Sequence, residues 1–284
     1  MSFSENMTKL IAVFKITRPV NLIITFISIV IAAVICSYGV FAADKVIFAA
    51  ASGALAAAAG NIINDLFDIE IDRINRPDRP LPSNKLTRRE AVSLFVLFSF
   101  LSLTLSYFIN RLAFIIDASA LFLLFFYSFR VKRIVLLGNF VVAFLTGLAF
   151  IYGGVSVDNL KYAIIPAVFA FLINFIREIV KDMEDIEGDK SAGIFSFPLL
   201  YGFKSARRVI TVFTLLLIAA TFIPFLSEFY KIEYFIVVMA LVNPILIYSL
   251  NSLFKDDKKK NLIKISFMLK LDMLFGLIAI YLGK

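Results

Sequence analysis

Apolar residues along this chain gather in blocks of roughly 18 to 22, the length that crosses the hydrocarbon of a bilayer. Nine such blocks are read, at about 19–41, 46–66, 91–109, 112–129, 134–154, 162–180, 209–226, 234–252 and 263–282. The pattern predicts an all-α, polytopic membrane protein of nine transmembrane helices. A single transmembrane domain, 1–284, is expected, with no soluble domain of note.

The polar connections are unequal. Those after odd-numbered blocks are short, such as "AADK" and "VSVDN", whereas those after the second and sixth are roughly 24 and 28 residues long. Long connections in compact folds are usually functional. The first of these ends in "LTRREAV", where Thr87 and Glu90 fit a capping box that opens the next helix. The run "FKDDKKKN" after the eighth block is read as a solvated loop near lipid headgroups.

Composition supports the membrane reading. Hydrophobic residues make up 61% of the chain and mean hydropathy is +0.90, against about half apolar in soluble domains. The net charge of +8 by itself would suit nucleic acid, but its distribution argues otherwise. The N-terminus, the connections after even-numbered blocks and the block ends that adjoin them (Arg177 and Lys264) hold 23 of the 29 Lys and Arg; the other side holds 5, and Lys270 lies within the ninth block. That bias predicts a cell-membrane protein whose N-terminus and even-numbered loops are cytoplasmic. No cleavable leader is recognised, so the first block is expected to be a retained anchor. Cys36 is the lone cysteine and histidine is absent. A disulfide framework, histidine bases, histidine haem ligands and most zinc sites are thereby excluded.

The chemistry is concentrated in the two long connections. "NDLFDIEIDR" carries Asp65, Asp68 and Asp72; "KDMEDIEGDK" carries Asp182, Asp185 and Asp189. The pattern D-x-x-D-x-x-x-D-[RK] occurs twice at a constant offset of 117, and Asn61 maps onto Glu178 by the same offset. A parallel repeat is suggested, 17–133 and 134–250, with the ninth helix left over. At 100° per residue, Asn61, Asp65, Asp68 and Asp72 fall within about 60° of arc if the helix continues through them, and so do their counterparts.

Such stripes are costly alone. Two carboxylates 4 Å apart repel by about 4 kcal/mol at an effective dielectric of 20, and a charge at bilayer depth costs about 2.5–3.5 kcal/mol. Oxygen donors without histidine or thiol suit a hard cation. Mg2+ fits best, because it takes one or two carboxylates and fills its remaining positions with water and substrate phosphates. The neighbouring Arg73, Arg76, Arg79, Lys132, Arg133, Arg177, Lys181 and Lys190 then suit a metal-bound diphosphate.

These residues together resemble the UbiA-type intramembrane prenyltransferases over nearly the whole chain. "NDLFDIEID" at 64–72 is similar to the first family motif. "NRPDRPLPSNKL" is similar to the basic stretch after it, with Asn84 where glycine is frequent. "YSFRVKR" at 127–133, "REIVKDMEDIEGDKSAG" at 177–193 and "TRPVNLIITF" at 17–26 match the remaining signatures. The resemblance implies nine helices around a central cavity, with both aspartate motifs at its cytoplasmic mouth. It implies Mg2+ held there against a prenyl diphosphate, and transfer of the prenyl chain to a membrane-borne acceptor. Asp65, Asp68, Asp182 and Asp185 are the expected metal ligands and catalytic residues. Asn61, Asp72, Glu178 and Asp189 come next. Arg76, Arg79, Tyr127, Lys132, Arg133 and Lys181 are expected to bind substrate, as is Asn21. The general base is left open between a carboxylate and the departing diphosphate.

Within the family the chain most resembles the archaeal ether-lipid branch, which joins a geranylgeranyl group from geranylgeranyl diphosphate to geranylgeranylglyceryl phosphate. The alternative is an aromatic quinone precursor as acceptor. A cation transporter is a remote reading, since transporters commonly use inverted repeats with sites near the midplane. Lys270 and Asp272, within the ninth block, are either functional or paired inside the bundle. Asn243-Pro244 is read as a helix kink.

Overall fold

The computed structural model describes residues 3–37, 42–191 and 195–284 of the 284-residue chain. Among these, the only regular structure is helical, and nine segments are long and apolar enough to cross a membrane. The helices are α1 (Phe3–Thr17), α2 (Pro19–Cys36), α3 (Ala43–Phe67), α4 (Ile69–Asn75), α5 (Arg88–Tyr107), α6 (Arg111–Phe129), α7 (Leu137–Ser156), α8 (Ile164–Glu184), α9 (Ile186–Ser191), α10 (Phe197–Leu226), α11 (Ile232–Val237), α12 (Asn243–Lys255) and α13 (Lys259–Gly283). A π-helical segment, Val238–Val242, joins α11 to α12 into one crossing. The first predicted block ends early, at Cys36; its last residues, 38–41, lie outside those described, as do Ala192 and Gly193 of the second motif.

The chain divides into two compact units, Met1–Lys132 with Ala149–Lys161, and Arg133–Leu148 with Tyr162–Lys284. In the first, α3 is the hub, packed by α1, α2, α5 and α6. Its sequence explains why. Ala49, Ala50, Ser52, Ala56, Ala58, Ala59 and Gly60 are buried, and small side chains let helix backbones approach without a lipid-facing gap. The end of α7 reaches α2 just as closely. A Cβ on Gly153 would stand 2.6 Å from both the Ile29 carbonyl oxygen and the Ala32 Cβ. α5 opens with both halves of the expected capping box: Glu90 N donates to Thr87 Oγ1 at 3.2 Å, and Thr87 N donates to the Glu90 carboxylate at 2.8 Å. Asn84 adopts φ 55°, the left-handed backbone that accounts for glycine in the same place elsewhere in the resemblance.

In the second unit α8 packs against α10 and α13, burying Ile173, Ile176, Ile179, Val180 and Met183. α10 is longer than the predicted 209–226 because a short piece precedes Gly202, whose φ of 77° breaks the helix there. The expected irregularity before Pro244 is the π segment: the Asn243 N–H reaches back five residues to the Val238 carbonyl. Buried Asn243 then bonds Thr221 on α10 at 3.3 Å, and Tyr234 donates to the Thr221 carbonyl at 2.9 Å. Outward faces carry large apolar side chains such as Phe100, Leu216, Ile223 and Phe267, as lipid-facing helices require.

Candidate active site

In the first unit the site is built where α3 ends. Asp65, in the last turn of α3, is 3% exposed and carries two cations: Arg18 Nη2 donates to its Oδ1 at 2.5 Å and Arg79 Nη1 at 3.1 Å. Arg79 also bonds the buried Asp72 at 2.5 Å. Lys132, after α6, pairs with Asp68. Asn61 holds the Arg18 turn in place by donating to the Thr17 carbonyl at 2.8 Å. Arg18 itself has φ 54°, in the left-handed region, where the chain turns between α1 and the proline that opens α2. A pocket of about 590 Å3 results, walled by Lys15, Arg18, Arg76 and Arg79 around Asp65 and Asp78. An apolar groove of about 610 Å3 is lined by Leu10, Phe14, Thr17, Leu22, Leu55 and Phe98; Thr17 is the residue before Arg18.

In the second unit α8 ends the same way. Glu178 bonds Lys181 at 3.0 Å and Arg177 at 3.3 Å. Asp182 accepts a hydrogen bond of 2.8 Å from Asn139 on α7. Asp185 is exposed at the helix end and Asp189 half-buried on α9. Burial pushes the Asp189 carboxyl above its ordinary range; Ser196 offsets part of this, and the like charge of Asp185 adds to it.

Neither acidic stripe is one continuous helix, contrary to the assumption behind their shared arc. Asp68 (φ −98°, ψ 3°) closes α3 and Asp185 (φ −97°, ψ 11°) closes α8, each followed at once by a short helix. The Asp72 N–H donates to the Asp68 carbonyl at 2.7 Å and the Asp189 N–H to the Asp185 carbonyl at 2.9 Å. The two motifs thus share one local fold as well as one spacing.

Of the other expected substrate contacts, Arg76 lines the pocket. Asn21 is exposed on the first turn of α2, Tyr127 is half-buried near the end of α6, and Arg133 is exposed in the turn Val131–Arg133. Arg73 turns away to Glu70 at 2.9 Å on the surface. Sequence reasoning missed Arg18 and Asn139. The signal for Arg18 was a cation directly before the proline that starts a membrane helix. Asn139, one polar side chain in an apolar block, gave none.

No group of three or more His, Cys, Asp or Glu able to hold a metal unaided occurs among the described residues. The donor set nonetheless fits Mg2+, whose ligands are oxygens and which needs only one or two carboxylates beside water and phosphate. Asp65 and Asp68 in the first unit supply such oxygens, and so do Asp182 and Asp185 in the second, with no histidine in the chain to compete. The surrounding Arg and Lys match phosphate rather than metal.

Nine apolar helices with carboxylates and cations interleaved at the ends of two of them define an intramembrane enzyme acting on a phosphorylated, apolar substrate. Residues 25–271 match the model of the UbiA prenyltransferase family. The chain belongs to this family and is a multi-pass membrane prenyltransferase. It is 38% identical over 228 residues to the digeranylgeranylglyceryl phosphate synthase of Methanocaldococcus jannaschii, covering 79% of this chain and 78% of that one. With the synthase of the same name from Methanosphaera stadtmanae it shares 31% identity over 272 residues, 95% and 97% of the two chains. A solved structure described as a digeranylgeranylglyceryl phosphate synthase superposes with TM-score 0.86 at 36% identity, covering 97% of this chain and 98% of that one. A UbiA homologue from Archaeoglobus fulgidus bound to GPP and Mg2+ shares the fold, with TM-score 0.67 at 22% identity, over 95% and 99% of the chains.

Proposed function

We propose that this protein transfers a geranylgeranyl group from geranylgeranyl diphosphate to the hydroxyl of geranylgeranylglyceryl phosphate. The products are an ether-linked archaeal lipid precursor and diphosphate. The carrying observation is the pocket in which buried Asp65 stands between Arg18 and Arg79, beside Lys15 and Arg76. Acid and base at one place suit a metal-bound diphosphate. Kinship with synthases of that name over most of both chains directs the choice of acceptor.

Bound Mg2+, with Asp65, Asp68, Asp182 and Asp185 as the proposed ligands, would supply positive charge to the leaving diphosphate as the allylic C–O bond breaks. The chain's own groups do the rest. Arg18, Arg76, Arg79 and Lys132 bind phosphate oxygens; Asn61 and Asp72 orient Arg18 and Arg79. The apolar groove beside Thr17 is fitted to an isoprenoid chain, whose burial is worth about 0.8 kcal/mol per CH2. The repeated local fold of the two motifs supports a parallel internal repeat, and the charge bias supports a cytoplasmic N-terminus.

The test is incubation of purified protein with geranylgeranyl diphosphate, Mg2+ and a panel of acceptors, followed by mass analysis. The expected product is the diether phosphate; product from an aromatic acid alone overturns the reading. Asp65→Asn and Asp182→Asn are each expected to cut turnover at least about 100-fold, with folding intact by thermal melting. Normal turnover in both would sink the metal assignment.

A further inference from the structure

The two motifs share a backbone but not their side-chain partners. In the first, every aspartate is ion-paired: Arg18 and Arg79 hold Asp65, Arg79 holds Asp72 and Lys132 holds Asp68. In the second, no Lys or Arg pairs with Asp182, Asp185 or Asp189 among the described residues. The cations nearest in sequence are engaged elsewhere. Lys181 gives its ammonium to both oxygens of Glu178, at 3.0 and 3.2 Å, and Arg177 bonds the same carboxylate at 3.3 Å. Glu178 stands where the first motif has Asn61, so a carboxylate in place of an amide draws these cations off the aspartates that follow. Asp182 is held instead by a neutral group: Asn139 Nδ2, in the first turn of α7, donates to its Oδ2 at 2.8 Å. Its Oδ1 accepts no hydrogen bond among the described residues. An amide on one oxygen orients a carboxylate, brings no charge, and leaves the other oxygen to a metal.

We propose that the second motif takes a divalent cation without diphosphate, that the first takes one only together with diphosphate, and that Asn139 is the positioning residue that prepares the second. A cation approaching Asp182 displaces no ion pair and meets an oxygen that the Asn139 bond leaves free. One approaching Asp65 or Asp68 must draw these carboxylates away from the partly buried Arg18, Arg79 and Lys132, and then lie beside the same three positive charges. A diphosphate removes that obstacle, because it gives the three cations another anion and offers the metal further oxygens. The repeated spacing therefore hides a division of labour set by Asn61 in one copy and Glu178 in the other. This rests on the Mg2+ and diphosphate reading above, which it deepens.

The experiment is equilibrium dialysis of the purified full chain in detergent against Mn2+, which shares the oxygen preference of Mg2+, first alone and then with inorganic diphosphate. Thermal melting is the control for folding. With Mn2+ alone, the wild type and Asp68→Asn are expected to take up metal with the same affinity and Asp182→Asn to lose it. Asn139→Leu is expected to bind about tenfold or more weakly, the loss that follows removal of a group orienting a metal ligand. With diphosphate, the wild type and N139L are expected to take up further metal, and D68N none beyond the first uptake. A general loosening of the fold would not separate the two uptakes in this way. No uptake by the wild type without diphosphate, an equal loss there in D68N and D182N, or an unchanged affinity in N139L overturns the proposal. Ether formation is measured separately. Ordered uptake in a protein that forms no ether leaves this proposal standing and sinks the ether-lipid reading. Ether formation by a wild type that takes up metal only with diphosphate sinks this proposal and leaves that reading.

Discussion

At the scale of single residues, the aspartates were legible because they repeat, and Arg79 and Lys132 because they follow in the same charged stretches; Arg18 was not. Arg18 reaches Asp65 across 47 positions of sequence, and no spacing rule connects them. Its role is separable from its backbone. Arg18→Gly keeps the left-handed turn at no steric cost and removes the side chain with its guanidinium. We expect KM for geranylgeranyl diphosphate to rise about tenfold or more in this variant, with little change in melting temperature. A loss of melting temperature with KM unchanged would make Arg18 a structural residue. Asp189 gives a pH signature. Because its folded carboxyl titrates above the ordinary value, folding is least penalised below the usual carboxylate range, and stability is lost as pH rises through the raised value. Asp189→Asn cannot ionise. It should match the wild type in strong acid and be the more stable protein at neutral pH; parallel stability curves would refute this.

At the scale of elements, hydropathy located all nine crossings but said nothing of what interrupts them. The helix breaks at Asp68 and Asp185 fall inside charged runs where periodicity has no apolar face to follow. The N-terminal helix α1 escaped notice because its apolar run, 10–16 broken by Lys15, is too short to cross a membrane. Buried Ala12 and Ile16 dock it, the Lys9–Glu90 pair at 2.5 Å ties it to α5, and Leu10, Ile11 and Phe14 remain outward. Such a helix is shaped to lie in the bilayer interface. Close packing elsewhere depends on single atoms. Gly153→Ala should cost about 1–3 kcal/mol, because the obstacle is the α2 backbone and cannot swing aside. Gly276, in α13, is the contrast: an added methyl would meet nothing within 4 Å, so Gly276→Ala should stabilise by up to about 1 kcal/mol. Thermal melting of the two variants in detergent reads both signs, and equal effects would discredit the packing account.

At the scale of the whole molecule, charge bias and helix count constrain one another: one crossing more or fewer would scatter the 23 cations over both sides. The proposed orientation puts Asp44 outside and Lys258 inside. With Cys36 replaced by serine, Asp44→Cys should react with an impermeant maleimide on intact cells, and Lys258→Cys only after permeabilisation; the reverse pattern would invert the protein. Two copies of one motif on one local fold explain why the function class was readable from the residues themselves, whereas the acceptor was legible only through the resemblance of the whole chain to the ether-lipid branch. The widened turn at Val238–Val242 carries a last implication. A π turn holds one residue more than an α-helix needs, so excising one there lets the run of hydrogen bonds close regularly while Asn243 keeps its bearing toward Thr221. Chain length is negotiable at that point of the bundle by a single amino acid, and in the long apolar stretches on either side it is not.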